Sequence, residues 1–262
     1  MEIKDLQHGV NVHREDGIAV LTMHNPEKRN AFSPAIRDGL IAHVEALMRD
    51  ASCRALVLQG SGGTFCSGGD ITTFEDRPAM AARRAMAQSH RYVRALITGG
   101  KPVIAAVEGY AFGGGLGLAL CCDQVVAARD AKFCASFARV GLMPDIGLLW
   151  TLPQRVGLGA AKEMLMLATV LGAEEALELG LIDEVAEPGG ALDGALALAR
   201  RFAAMAPGAL ALTKDALARF PMDIEEELTC EAQGQGLLFG TEDVREGVRA
   251  FFEKRDPRFV GK

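Results

Sequence analysis

Two glycine-rich turns and one aspartate carry the residue types from which chemistry could be built. Gly113, Gly114, Gly115 and Gly117 follow the apolar stretch KPVIAAVEG after three intervening residues, at the head of another apolar run. Glycine costs roughly 0.5 to 1 kcal/mol against alanine in a helix, so a bare backbone is being retained for a reason. A strand that passes through glycines into a helix leaves the first N–H groups of that helix unpaired and outward-facing. Such groups bind either a phosphate or an oxygen that becomes negative during a reaction. The phosphate fingerprints are absent: Leu118 stands where G-x-G-x-x-G needs its last glycine, and no Gly-Lys-Ser/Thr occurs. Ser67 is no nucleophile elbow either, because Phe65 occupies the first glycine position of G-x-S-x-G. The plainer alternative is that these glycines only let a helix and a strand pack closely.

Asp145, in VGLMPDIG, is an aspartate set among apolar residues. Val140, Leu142, Met143 and Ile146 predict apolar surroundings that would raise its pKa and suit it to carry a proton. The same aspartate could equally cap the helix that follows. His90 shares the spacing of Met86, Val93 and Ile97, which predicts a core-facing position, either hydrogen-bonded or serving as a base. The six cysteines lie in apolar or glycine-rich surroundings with no Cys-x-x-Cys and no histidine at metal spacing, so buried thiols are expected and no metal site.

The elements that must position these residues alternate. IAVLTM (18–23) precedes a helix opened by Ser33 as N-cap and Pro34 at N1, with Ile36, Leu40, Ile41, Val44, Leu47 and Met48 as its apolar stripe. Then come the strand RALVLQG (54–60), a glycine loop, a helix near 79–98, the strand PVIAAVEG (102–109), the glycine turn and the strand DQVVAA (123–128). This is an α/β pattern with parallel neighbours expected. From about Gly147 the pattern is almost wholly helical, broken by a strand-like run at 181–185 and ending in charged helices near 223–238 and 242–255. RALVLQG…FCSGGD and KPVIAAVEG…FGGGLG repeat one unit of apolar strand, glycine, phenylalanine and small residues. Repetition of that unit suggests a sheet that coils through similar turns.

The chain has 262 residues, enough for a substantial core. Its net charge of −6 argues against a nucleic-acid surface. MEIKDLQHGV has no basic region leading into an apolar one, and no apolar run reaches bilayer length, so a cytoplasmic protein without a membrane partner is expected.

The segments HNPEKRNAFS (24–33), GGTFCSGGDI (62–71), KPVIAAVEGYAFGGGLGLAL (101–120), AKFCASFARVGLMPDIG (131–147), AEEALELGLIDEV (173–185) and AFFEKRDPRFVG (250–261) resemble, in order, those of the crotonase superfamily of enoyl-CoA hydratases and isomerases. The resemblance implies a spiral of ββα turns as an acyl-CoA-binding core, over residues 1–195, and a C-terminal helical trimerisation region over 196–262. It implies that the amides of Ser67 and Gly114 hold the thioester oxygen, and that Lys28, Arg29, Ala31, Asp70, Ile71 and Lys254 bind coenzyme A. Coenzyme A would enter as part of the substrate, with no separate cofactor, and the assembly would be a homotrimer or a dimer of trimers. The two glutamates of the family's hydratases fall here on Gly117 and Phe137. Their loss removes groups that typically contribute 10² to 10⁴-fold. Related isomerases carry an aspartate matching Asp145, which implies double-bond isomerisation with Asp145 as proton shuttle. The superfamily's dehalogenases pair matching aspartate and histidine residues, which implies as an alternative a hydrolase or dehalogenase using Asp145 as nucleophile and His90 as base, although Phe137 replaces their tryptophan. A non-catalytic acyl-CoA binder is the reading from another class.

Overall fold

The computed structural model describes residues 7–74 and 78–262; residues 1–6, part of the stretch read for a leader, lie outside it. Among the described residues, β1 (Gly9–Glu15), β2 (Ile18–His24), β3 (Ala55–Gly60), β4 (Val103–Val107), β6 (Gln124–Ala128) and β9 (Glu184–Ala186) form one sheet in that order. Its neighbours are parallel from β2 to β9, as the alternation predicts, and β1 pairs antiparallel with β2. A smaller sheet joins β5 (Tyr110–Phe112), β7 (Lys132–Cys134) and β8 (Val170–Gly172).

The central strands are apolar along most of their length because both faces are covered. Ala19, Leu21, Leu56, Leu58, Ala105 and Val107 point to one core, shared with α1 (Pro34–Arg49), α2 (Ala79–Thr98), α3 (Gly114–Leu120) and α4 (Leu148–Leu167). Their neighbours Ile18, Val20, Ala55, Val57, Ile104 and Ala106 point to the other, beneath α6 (Ala191–Ala203). Each strand thus splits its residues by the period of two.

Ser33 caps α1 as its position before Pro34 predicts, its Oγ accepting from Ile36 N at 3.2 Å. The similarity of the two strand–glycine units becomes a physical stack. Phe32 N donates to Gly68 O, Cys66 N to Tyr110 O, Phe112 N to Cys66 O, and Gly113 N to Cys134 O. Each turn of chain lies on the one before it, so the coil is a ladder of backbone bonds.

The division at residue 195 falls inside α6, whose Ala195 and Leu196 are both buried against the same sheet. After α5 (Ala173–Glu178), the helices α7 (Pro207–Leu217), α8 (Ile224–Leu238) and α9 (Glu242–Glu253) follow α6. The strand-like run at 181–185 is realised slightly later, as β9. Cys53, Cys66, Cys121, Cys122 and Cys134 are buried free thiols, and Cys230 is partly exposed.

Candidate active site

The site lies where β3 and β4 leave the large sheet at their carboxyl ends, the usual crevice of parallel sheets. Both turns need glycine there for contact reasons. A Cβ on Gly115 would stand 2.2 Å from Cys66 O, and one on Gly68, which has φ +97°, 2.8 Å from Phe112 O. The same Cβ on Gly68 would stand 3.5 Å from Gly114 N, so the two turns meet at the start of α3.

The amides at this meeting point are not the pair expected from the sequence. Ser67 N donates to Arg29 O at 3.0 Å, and Ser67 Oγ to Lys28 O at 3.2 Å. With its N–H committed, Ser67 offers no donor to a ligand. Two residues on, Gly69 pairs edge-on with Phe32 through its neighbours' groups, and its own N–H reaches no acceptor among the described residues. Gly114 N likewise has none, being the first residue of α3. Gly69 and Gly114 are therefore open donors at this point, and Gly69, two residues past the expected Ser67, was missed because peptide direction is not written in composition.

Asp145 reaches the same point. A Cβ on Gly114 would lie 3.2 Å from Asp145 Oδ1 and 3.0 Å from the Phe32 ring. Asp145 Oδ1 is buried with no hydrogen-bond partner. Burial alone pushes its carboxyl up to about 6. The expected cause differs: Val140, Leu142 and Met143 are exposed, and of the four apolar neighbours only Ile146 is buried. Around Asp145 stand Tyr92 from α2 and Cys66 from the first turn, both buried and both pushed up chiefly by burial, Cys66 to about 12. The capping alternative also fails, because Gly147 occupies the N-cap of α4 and no side chain caps it.

His90 does not join this group. It is exposed on α2, whose buried face is Ser89, Tyr92, Val93 and Leu96, one position out of phase with the predicted stripe. It makes no hydrogen bond to Asp145 among the described residues, so the expected nucleophile–base pair is not assembled.

The positions of the missing glutamates are filled. Gly117 is buried in α3, and a Cβ there would lie 3.0 Å from Ile146 Cβ and 3.1 Å from the carbonyls of both Asp145 and Ile146. Phe137 is buried beside Gly113.

Of the residues expected to bind coenzyme A, Lys28 and Asp70 come together: Lys28 Nζ donates to Asp70 Oδ2 at 2.7 Å and to Thr72 Oγ1 at 3.3 Å. That hydrogen bond is the largest influence holding the Asp70 carboxyl below its usual range. The Arg29 guanidinium lies 5.5 Å from the centre of the Tyr110 ring, Ala31 is buried, and Ile71 is exposed. Lys254 closes α9 in a left-handed conformation, exposed and without a hydrogen bond to the Lys28–Asp70 group. Beneath them is a residue the sequence did not single out, Asn30. Fully buried, it accepts from Asn25 N at 2.8 Å and donates to Ser61 O and Thr64 O at 2.8 and 2.7 Å, tying the Lys28–Ala31 loop to the first turn.

Residues 13–262 match the sequence profile described as enoyl-CoA hydratase/isomerase. The chain is 36% identical over 253 residues to the crotonyl-CoA hydratase of Syntrophomonas wolfei, covering 96% of this chain and 97% of that one. It is 37% identical over 255 residues to the 1,2-epoxyphenylacetyl-CoA isomerase of Escherichia coli, covering 95% and 97%. The crystal structure of an enoyl-CoA hydratase from a Polaromonas species superposes with a TM-score of 0.92 at 34% identity, covering 96% and 99%. The chain belongs to the enoyl-CoA hydratase/isomerase family.

Proposed function

We propose that this enzyme moves the double bond of an enoyl-CoA thioester through an enolate held by the amides of Gly69 and Gly114, with Asp145 as the proton carrier. The observation that carries the reading is the buried, unpartnered Oδ1 of Asp145 set against Gly114, at a site whose positions 117 and 137 hold no carboxylate. Relatives of nearly equal identity bear the names of a hydratase and of an isomerase, so the reading rests on the site's own groups.

In a 3-enoyl thioester the carboxylate takes the proton from the α-carbon, and the electron pair of that C–H bond moves toward the thioester oxygen. The two N–H groups meet the charge that develops there, and a low local dielectric strengthens that interaction. The protonated Asp145 then returns the proton to the γ-carbon, and the enolate collapses to the conjugated 2-enoyl thioester. Proton transfer by one carboxyl needs a group that exchanges its proton near working pH, and burial gives Asp145 that property. Lys28, Arg29, Asp70, Ile71 and Lys254 serve coenzyme A, with Ala31 shaping the groove; Lys254 does so from a neighbouring protomer of a trimer, in the cytoplasm. Two glutamates flanking a water are the groups that hydration would require, and Gly117 and Phe137 supply neither.

A panel of 3-enoyl- and 2-enoyl-CoA thioesters tests this. The wild type is expected to convert 3-enoyl to 2-enoyl substrate with kcat/KM falling as the pH drops through about 6, where Asp145 becomes protonated. Asp145→Asn is expected to lose about 10² to 10⁴-fold in kcat. Hydration of 2-enoyl-CoA at a rate exceeding isomerisation would overturn the reading, as would isomerisation by Asp145→Asn at the wild-type rate. Tight thioester binding with no turnover of any substrate would instead favour a binding protein.

A further inference from the structure

Asp145 owes its direction to an unusual neighbour. Ile146 has φ +48°, a left-handed conformation that a β-branched residue adopts only when its surroundings enforce it. Gly147 follows at φ +74°, so the chain makes two left-handed steps before α4 begins. The enforcing contacts are visible. The Ile146 side chain is buried and lies over the bare backbone of Gly117. Cys121 Sγ, at the end of α3, donates to Ile146 O at 3.3 Å. Leu148 N donates to Asp145 O at 3.0 Å, closing the turn on its other side.

We propose that Ile146, seated on Gly117 and held by Cys121, is the positioning residue that turns the Asp145 carboxyl inward against Gly114, and that this contact excludes any side chain from position 117. The loop and the glycine are two halves of one device. A side chain at 117 would enter the space of Ile146 Cβ and two carbonyl oxygens, and the loop would have to rise. Raising it carries the Asp145 carboxyl away from Gly114 and toward water. An inward aspartate at 145 and a glutamate at 117 are thereby mutually exclusive in this chain. The assignment rests on the reading of Asp145 as the proton carrier for its catalytic consequence, and on the geometry alone for its structural one.

The groups facing Asp145 leave its titration isolated. Tyr92 on α2, Cys66 in the first turn and Cys121 at the end of α3 are all pushed up by burial, the two thiols to about 12. His90 is exposed on α2. A midpoint near 6 in this pocket therefore reports on Asp145.

The test reads that midpoint by NMR titration of protein labelled with ¹³C at aspartate carboxyls, with Asp145→Asn identifying the resonance, beside kcat and KM on a 3-enoyl-CoA. Ile146→Gly keeps the left-handed backbone and removes the side chain over Gly117. It is expected to lower the midpoint by about one unit or more as water reaches the carboxyl, and to lower kcat about 10- to 100-fold with KM changed less than about twofold. Gly117→Ala, which pushes the loop from below, is expected to shift the midpoint the same way. Ile146→Val keeps the branched Cβ and is expected to hold the midpoint. An unchanged midpoint in both Ile146→Gly and folded Gly117→Ala overturns the assignment, and so does a fall in Ile146→Val equal to that in Ile146→Gly. The midpoint is read without substrate, so it judges Ile146 even if Asp145→Asn were to keep full isomerase activity and the functional reading fell.

Discussion

Asp145 is a residue whose burial is bought at the expense of stability. Its carboxyl titrates near 6 in the folded chain against 3.8 as a free group, so between those values the folded chain holds a proton that the unfolded chain has released. Stability contributed by this group is fully present below about 3.8 and is lost as the pH rises through about 6. The shift corresponds to about 2 to 3 kcal/mol above that range. Asp145→Asn, which cannot ionise, is expected to gain stability relative to the wild type by roughly that amount between pH 4 and pH 8. Urea unfolding at the two pH values measures it; a constant difference between the proteins would show that the carboxyl is not desolvated. The variant that loses turnover should therefore be the sturdier protein at neutral pH. His90 shows the opposite limit of reading single residues. Its spacing from Met86, Val93 and Ile97 is compatible with a buried stripe, but α2 is rotated so that Ser89 and Tyr92 take the inner positions.

At the scale of elements, the site exists because two strand ends are built alike and lie against each other. The first turn reaches into the second where Cys66 O passes within 2.2 Å of the place a Gly115 Cβ would take. Cys66 also exchanges backbone bonds with Tyr110 and Phe112, so neither turn can retreat without breaking the ladder. Gly115→Ala is thus expected to destabilise by about 2 to 4 kcal/mol, through overpacking and a lost buried hydrogen bond. It should also weaken thioester binding, since Gly114 and Gly69 would part. Thermal unfolding with and without a CoA thioester checks both; an unchanged Tm would mean the turns adjust freely. The glycines were legible as a site from their strand–turn–helix context. Which amide remained open was not, because Ser67 and Gly69 differ only in the direction their N–H groups face once Arg29 O is in place.

At the scale of the molecule, the C-terminal helices are tied back to the core by particular bonds rather than by a linker. Lys214 on α7 donates to Asp123 Oδ2 and to Lys101 O, both between strands of the large sheet. Arg54, before β3, donates to Met205 O and Phe259 O. The last residues fold over α9, where buried Asp243 accepts from Val260 N at 2.7 Å and Gly261 N at 2.9 Å. Asp243→Ala leaves both amides unsatisfied and is expected to free residues 258–262, seen as earlier cleavage there in limited proteolysis. Equal cleavage times in the two proteins would show that the tail is held by other contacts. A trimer contact through residues 196–262, expected from the family resemblance, would add to these ties.

The sequence by itself determined the family, the parallel strands β2, β3, β4 and β6 and the helices between them, while β1 and the short strands β5, β7 and β8 went unread. Continuous apolar runs between glycines marked the central strands, Ser33 before Pro34 marked a helix start, and six segments in order specify one superfamily. It also determined which carboxylates are missing, since Gly117 and Phe137 are plain in the chain. What only the tertiary structure decided is where groups point: that Ser67 spends its amide on Arg29, that Gly69 keeps its own, that His90 faces out, and that Asp145 faces in. Residue type and spacing fix what a side chain could do, and a period of two or of 3.6 assigns it a face. Left-handed steps such as that at Ile146 escape both periods, because they are set by a contact with Gly117, 29 positions earlier in the chain, and that contact exists only once the coil has closed.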